Sequence, residues 1–136
     1  MVRRPTKETE LEKFISWIKH LRNASEDRIV LVQHKQDMEK LLELGVKNIV
    51  YLTEPHYKAV EQIAEKGKEC VLLFNVDKRS DELCERIRAE LMENGVKVNT
   101  RFRKLLLTTE LREIRGILTY LKKHLVLEKE REAMPF

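Results

Sequence analysis

Three times the chain repeats one punctuation mark: Leu44-Gly45-Val46-Lys47, Lys66-Gly67-Lys68-Glu69 and Asn94-Gly95-Val96-Lys97 each place a glycine between a helix-patterned run and a strand-patterned one. Glycine tolerates the left-handed residue with which a helix ends, so each junction is expected to be a helix C-cap. Upstream of them, Met38, Leu41, Leu42 and Leu44, then Tyr57 to Ala64, then Ser80 to Met92 repeat at helical spacing. Between the helices lie short apolar, largely β-branched runs: Ile29 to Val32, Asn48 to Leu52, Cys70 to Phe74 and Val96 to about Phe102. Strands alternating with helices of this length are βαβ units joined by right-handed crossovers. The expected fold is therefore α/β, a single-domain three-layer sandwich around a mainly parallel four-stranded sheet.

Two helical patterns flank this unit. Leu11, Phe14, Ile15, Trp17, Ile18 and Leu21 follow Thr6, a residue suited to N-capping, with Glu8, Glu10 and Glu12 toward the start. Thr109 to about Leu125 puts Leu111, Ile114, Ile117, Leu118 and Leu121 on one face. The expected organisation is an N-terminal amphipathic helix over 1–25, an α/β domain over 26–125 and a polar tail over 126–136. At 136 residues the chain suits one domain that needs neither disulfide nor metal to hold its core. Charged residues make up 37% and the amides are few, with three Gln and five Asn, a balance that leans toward a heat-adapted, archaeal-like source. Cys70 and Cys84 lack metal spacing and read as reduced core residues, and His20, His34, His56 and His124 are too scattered for a zinc site. Arg3, Arg4 and Pro5 stand where a signal segment would be apolar, and no apolar run approaches the roughly 20 residues that cross a bilayer. The location expected is cytoplasmic, with no membrane partner.

The chemistry is concentrated at two strand ends. Val71-Leu72-Leu73-Phe74 runs into Asn75-Val76-Asp77-Lys78-Arg79-Ser80-Asp81-Glu82, and the first strand runs into Val32-Gln33-His34-Lys35-Gln36-Asp37. Open α/β sheets bind ligands just beyond the carboxyl ends of their strands. In order and spacing these segments resemble the small stand-alone Toprim domains, related to the catalytic domains of topoisomerases, DnaG-type primases and RNase M5 maturases. The resemblance spans roughly Arg28 to Lys122. In that family the first segment reads like Val-Glu-Gly-Lys-Xaa-Asp, and the second like Asp-Xaa-Asp followed by a small residue and further acids.

The resemblance implies a Toprim fold, with a general acid/base at the position of Gln33 and Mg²⁺ ligands at those of Asn75 and Asp77. Here two of the three expected carboxylates are carboxamides. Gln33 has no proton to exchange near neutral pH, and Asn75 offers a metal only one uncharged oxygen. Asp77 alone remains, so Mg²⁺ would bind weakly, with help from Asp37, Asp81 or a bound phosphate. Asp77 is equally suited to capping the following helix, as are Ser80 and Asp81.

A net charge of +4 is too small to argue for nucleic acid by itself; the placement of the cations matters more. Lys35, Lys78 and Arg79 sit at the two strand ends, and Arg101, Arg103 and Lys104 follow the fourth strand. If that strand persists, Arg101 and Arg103 project from one side of it, with Phe102 packed inward. The function expected is a non-catalytic module that binds nucleic acid, RNA favoured, within a ribonucleoprotein such as the ribosome and with no cofactor beyond weak Mg²⁺. One alternative is a Mg²⁺-dependent nuclease or primase-like enzyme whose site is rebuilt from Asp77, Asp37 and Asp81. The other is a scaffold whose N-terminal helix, with Trp17, docks a ribosomal or other protein partner, although such a face more often covers its own sheet.

Overall fold

The computed structural model describes residues 7–67, 69–107, 113, 114, 116, 117 and 119–123. In order they form α1 (Lys7–Ser25), β1 (Ile29–Val32), α2 (Lys35–Glu43), β2 (Ile49–Tyr51), α3 (His56–Lys66), β3 (Glu69–Leu72), α4 (Lys78–Glu93), β4 (Lys97–Asn99) and α5 (Arg101–Leu107). Within 113–123 the described residues from Ile114 onward are helical. The sheet is four-stranded and all parallel, in the order β2-β1-β3-β4. The three-layer α/β architecture is the one that the alternating pattern implies.

The strand sequences follow from these places. β1 and β3 are central, so both of their faces are covered, and every residue of Ile29–Val32 and all but the first of Glu69–Leu72 are buried. β2 and β4 lie at the edges and are only partly covered. Val30, Val32, Val71 and Leu73 face a core closed by α1, α2, α5 and the 113–123 segment. Ile29, Leu31, Cys70, Leu72 and Phe74 face the opposite core, closed by α3 and α4. The alternation is the period-2 geometry of a strand, here apolar on both sides as a parallel sheet requires.

α1 belongs to the first core. Leu11, Phe14, Trp17, Ile18 and Leu21 are buried in it. The Trp17 indole donates to the Phe102 carbonyl at 3.0 Å, and its ring meets Phe102 edge-on at 6.2 Å. The α1 face thus takes the commoner of its two expected uses, covering its own sheet, because β1 and β3 need that cover. The far end of α1 is tied to the α2–β2 loop, where Ser25 Oγ accepts from the Lys47 amide at 2.9 Å and Asn48 Nδ2 donates to Ser25 O at 2.6 Å.

Two of the three glycine junctions have the expected geometry, with φ of +86° at Gly45 and +79° at Gly95. Gly67 does not: its φ of −151° is extended backbone, and its amide closes α3 by donating to Ile63 O at 2.9 Å. The fourth strand is also shorter than expected. It stops at Asn99, whose side-chain oxygen accepts from the Arg101 amide at 2.9 Å, while Thr100 O accepts from Lys104 N at 3.1 Å. Those bonds start a helix, so Arg101 and Arg103 do not share a strand face. Phe102, Leu105 and Leu106 instead form a helical stripe against the first core. Cys70 and Cys84 are buried and unbonded to each other, and desolvation pushes the Cys70 thiol up to about 12. The Thr6 cap and the 126–136 tail lie outside the described residues, as does much of the expected last helix.

Alanine at the three glycines should separate these geometries in thermal or urea unfolding. Gly95→Ala meets open space and costs only the left-handed backbone, about 1 kcal/mol. Gly45→Ala should cost more, since its Cβ would come 2.8 Å from Arg22 Nε, the group that donates to Leu44 O. Gly67→Ala should be near neutral or slightly stabilising, because its backbone suits any residue and its nearest neighbour is Ile29 Cδ1 at 3.4 Å.

Candidate functional site

β1 and β3 are neighbours, yet the helices that follow them leave on opposite faces, α2 into one core and α4 into the other. That divergence opens a crevice at the carboxyl edge, the switch point at which such sheets bind ligands. Gln33 and Asn75 sit at its floor. Along the ladder, Leu73 N donates to Leu31 O at 2.9 Å. The next rung would join Asn75 N to the Gln33 backbone carbonyl; the Gln33 side-chain oxygen takes that place at 2.6 Å.

Asn75 is 5% exposed, and each of its polar groups has a partner. Besides the amide bound to Gln33, its Oδ1 accepts from Ile114 N at 2.8 Å and its Nδ2 points at Asp37 Oδ2 at 3.5 Å. Its carbonyl accepts from Arg103 Nη2 at 2.8 Å. An aspartate here could not donate to Asp37 and would set a second carboxylate against it. Gln33 is used as fully, for its Nε2 donates to Ser80 Oγ at 3.0 Å.

Ser80 leads on to Asp77, the N-cap of α4. Asp77 Oδ1 accepts from Ser80 N at 2.8 Å and its Oδ2 from Ser80 Oγ at 2.9 Å. The Ser80 amide and hydroxyl hold the Asp77 carboxyl below the usual aspartate range, helped by the Arg79 amide and the Arg103 charge and opposed by slight desolvation. The capping role open to Asp77 from its position is the one it fills.

Arg103 corrects the expected set of surface cations. It is buried on α5, where Nε donates to Phe74 O at 3.2 Å and Nη2 donates to Asn75 O and to the Asp81 carboxylate. Carbonyls just past a strand end have no ladder partner, and a guanidinium, carrying only donors, satisfies two of them at once. The weak Mg²⁺ set of Asp37, Asp77 and Asp81 is not assembled: Asp81 is paired with Arg103, Asp77 caps α4 and Asp37 is buried beside Asn75. Among the described residues no group of three His, Cys, Asp or Glu side chains is placed to hold a metal ion.

A cleft of about 790 Å³ opens beside this network. One wall is the α4 stripe Arg79, Glu82, Leu83 and Arg86; the other is formed by Leu52, Glu54 and His56 after β2, with Gln33 and His34 after β1. His56 and Arg86 escaped sequence reasoning, though Arg79 and Arg86 lie seven apart on one helix and so share a face. Arg86 Nη2 lies 2.7 Å from His56 Nδ1. Lys35 opens α2, and Lys78 and Arg79 open α4, all three exposed around the carboxyl edge. Arg101 lies elsewhere, in a groove of about 680 Å³ between α1 and α5 with Lys13, Trp17 and Phe102. Lys104 is exposed on α5. No helix among the described residues is long and apolar enough to cross a membrane.

Over 120 residues, 84% of this chain and 94% of the other, the sequence is 31% identical to a UPF0292 protein of Methanocaldococcus jannaschii. The chain belongs to the UPF0292 family. A UPF0292 protein of Pyrococcus abyssi is 30% identical over 92 residues, covering 67% of this chain and 70% of that one. These archaeal relatives fit the archaeal-like composition. A solved structure of a protein from Aquifex aeolicus superposes with a TM-score of 0.71 at 27% identity, over 75% of this UPF0292 chain and 95% of its own. No protein-family model matches the chain.

Two substitutions test the network of this UPF0292 protein. Asp77→Ala should cost about 1 kcal/mol at neutral pH, the usual worth of an N-cap, while Asp77→Asn should cost less. Since folding lowers the Asp77 pKa, its contribution is present above the ordinary aspartate range and is lost as pH falls below that range through the lowered folded value, so the gap between wild type and Asp77→Ala should narrow in acid. Asn75→Asp should destabilise by about 2 kcal/mol or more at neutral pH, by losing a donor and burying a charge beside Asp37, with partial recovery in acid. Chemical denaturation across pH measures both.

Proposed function

We propose that this protein is a non-catalytic, Toprim-like module that binds nucleic acid, RNA in preference to DNA, as a component or companion of a ribonucleoprotein particle such as the ribosome. The observation that carries the reading is the closed hydrogen-bond network of Gln33, Asn75, Ser80 and Asp77 at the switch point. Where the Toprim resemblance calls for carboxylates that share a metal, this chain has carboxamides, each satisfied by neighbours within the fold. A proton shuttle needs a group that ionises near the working pH, and neither carboxamide does.

Beside its carboxylates, the edge carries three exposed cations. Lys35, Lys78 and Arg79 are exposed at the starts of two helices that flank the crevice. Contacts of this kind go to phosphates, which fix position on a backbone without reading bases. Arg103 is removed from that surface by its ion pair with Asp81.

Binding should therefore be salt-dependent and indifferent to EDTA. In filter binding or fluorescence anisotropy with single-stranded RNA, raising salt from 50 to 200 mM should weaken binding by about tenfold or more for a few phosphate contacts. Reversing Lys35, Lys78 and Arg79 to Glu together should abolish it and leave the melting temperature little changed. Absence of binding at low salt, or Mg²⁺-dependent cleavage or synthesis lost in Asp77→Ala, would overturn the reading.

A further inference from the structure

The cleft between α4 and the start of α3 holds two groups, His56 and Arg86, that contact with a continuous nucleic-acid backbone leaves unexplained. Arg79 and Arg86 stand two turns apart on α4, about 10 Å along its axis. Arg86 is bonded to His56 Nδ1 at 2.7 Å. A guanidinium has donors only, so Nδ1 accepts and the imidazole carries its proton on Nε2, at the opposite edge of the ring. His56 is thus held as an oriented donor in the cleft wall. The start of α4 offers an anion little, because the Ser80 and Arg79 amides are already given to Asp77. Recognition in this cleft falls to side chains.

Those side chains have a mixed character. Glu54, Asp77 and Glu82 share the lining with the two arginines. A phosphodiester chain, anionic along its length, would meet three carboxylates. A terminal phosphate with a neutral ribose hydroxyl beside it fits better. Phosphate oxygens would accept from guanidinium and imidazole, and sugar hydroxyls would donate to carboxylates, as a ribose hydroxyl does to the acid in dinucleotide sites. At about 790 Å³ the cleft lies within the size range of small-molecule sites.

We infer that the cleft binds a ribose phosphomonoester, with the phosphate held by His56 and Arg86 and the free ribose hydroxyls, the 2′-hydroxyl alone at a strand end and both in a free nucleotide, by Glu54 and Glu82. The inference deepens the nucleic-acid reading and rests on it for one of two sources: the phosphorylated end of an RNA strand, or a free nucleoside monophosphate.

The test uses the full chain. Anisotropy compares one single-stranded RNA with a 5′-phosphate, a 3′-phosphate or hydroxyls at both ends, alongside the matching DNA; calorimetry titrates free AMP and GMP. One phosphorylated RNA end should bind about tenfold tighter than the unphosphorylated strand, the worth of one charge-assisted contact. Arg86→Gln and His56→Ala should each erase that preference and leave the salt-dependent residual binding unchanged. His56→Gln, which keeps a donor, should retain part of it. Saturable AMP or GMP binding without end preference would assign the site to the free nucleotide.

RNA binding that ignores the end phosphate, together with no nucleotide binding, would overturn the inference and leave the broader reading standing. Equal preference for the phosphorylated DNA end would overturn it too, since the carboxylates would then have no ribose to read. Nucleotide binding without any RNA binding would support the cleft and sink the nucleic-acid module.

Discussion

Asn75 is the point through which the parts of this fold communicate. One residue, almost wholly buried, is bonded to the end of β1 through Gln33, to α5 through Arg103 and to the 113–123 segment through Ile114, with its amide aimed at Asp37 on α2. Buried peptide and amide groups left without partners cost about 1–3 kcal/mol apiece. Four such groups on one residue make its surroundings hard to vary singly. The carboxamide suits the place because it donates and accepts at once, whereas a carboxylate only accepts.

That bonding changes what a strand-end motif means. At a switch point an acidic residue usually signals that a cation or phosphate is to be held. Here the two aspartates that follow β3 are already answered inside the chain: Asp77 by the first turn of α4, Asp81 by Arg103. The crevice floor is closed by its own side chains, and the open space lies to one side, under His56 and Arg86.

Much of this was legible in the sequence. The βα alternation and the strand runs led to the four parallel strands, because burial on both faces forces apolar β-branched residues into short stretches. α5 was not legible as a helix, since Arg101-Phe102-Arg103 alternates like a strand; the decisive signal was Asn99-Thr100, residues that start helices by bonding to free amides. The same error put Arg103 on the surface. Gln33, Asn75 and Asp77 could be singled out by position, but their mutual bonding depends on side-chain reach across 42 residues of sequence, which spacing does not encode. The pairing of His56 with Arg86 likewise joins two helices through a tertiary contact.

Because β1 and β3 are apolar on both faces, hydrophobic burial alone only weakly distinguishes their observed register from one displaced by a single residue: a shifted strand would still bury valines and leucines on either side. Gln33 breaks that degeneracy. Its side chain completes the ladder by standing in for its own backbone carbonyl, and reaches Ser80 only when it points toward α4. Displaced by one position, it would be thrown into the opposite apolar layer with its amide unanswered. The polar cluster at the sheet's end thus acts as the key that indexes the two central strands, a structural use for the carboxamides there whatever the crevice binds.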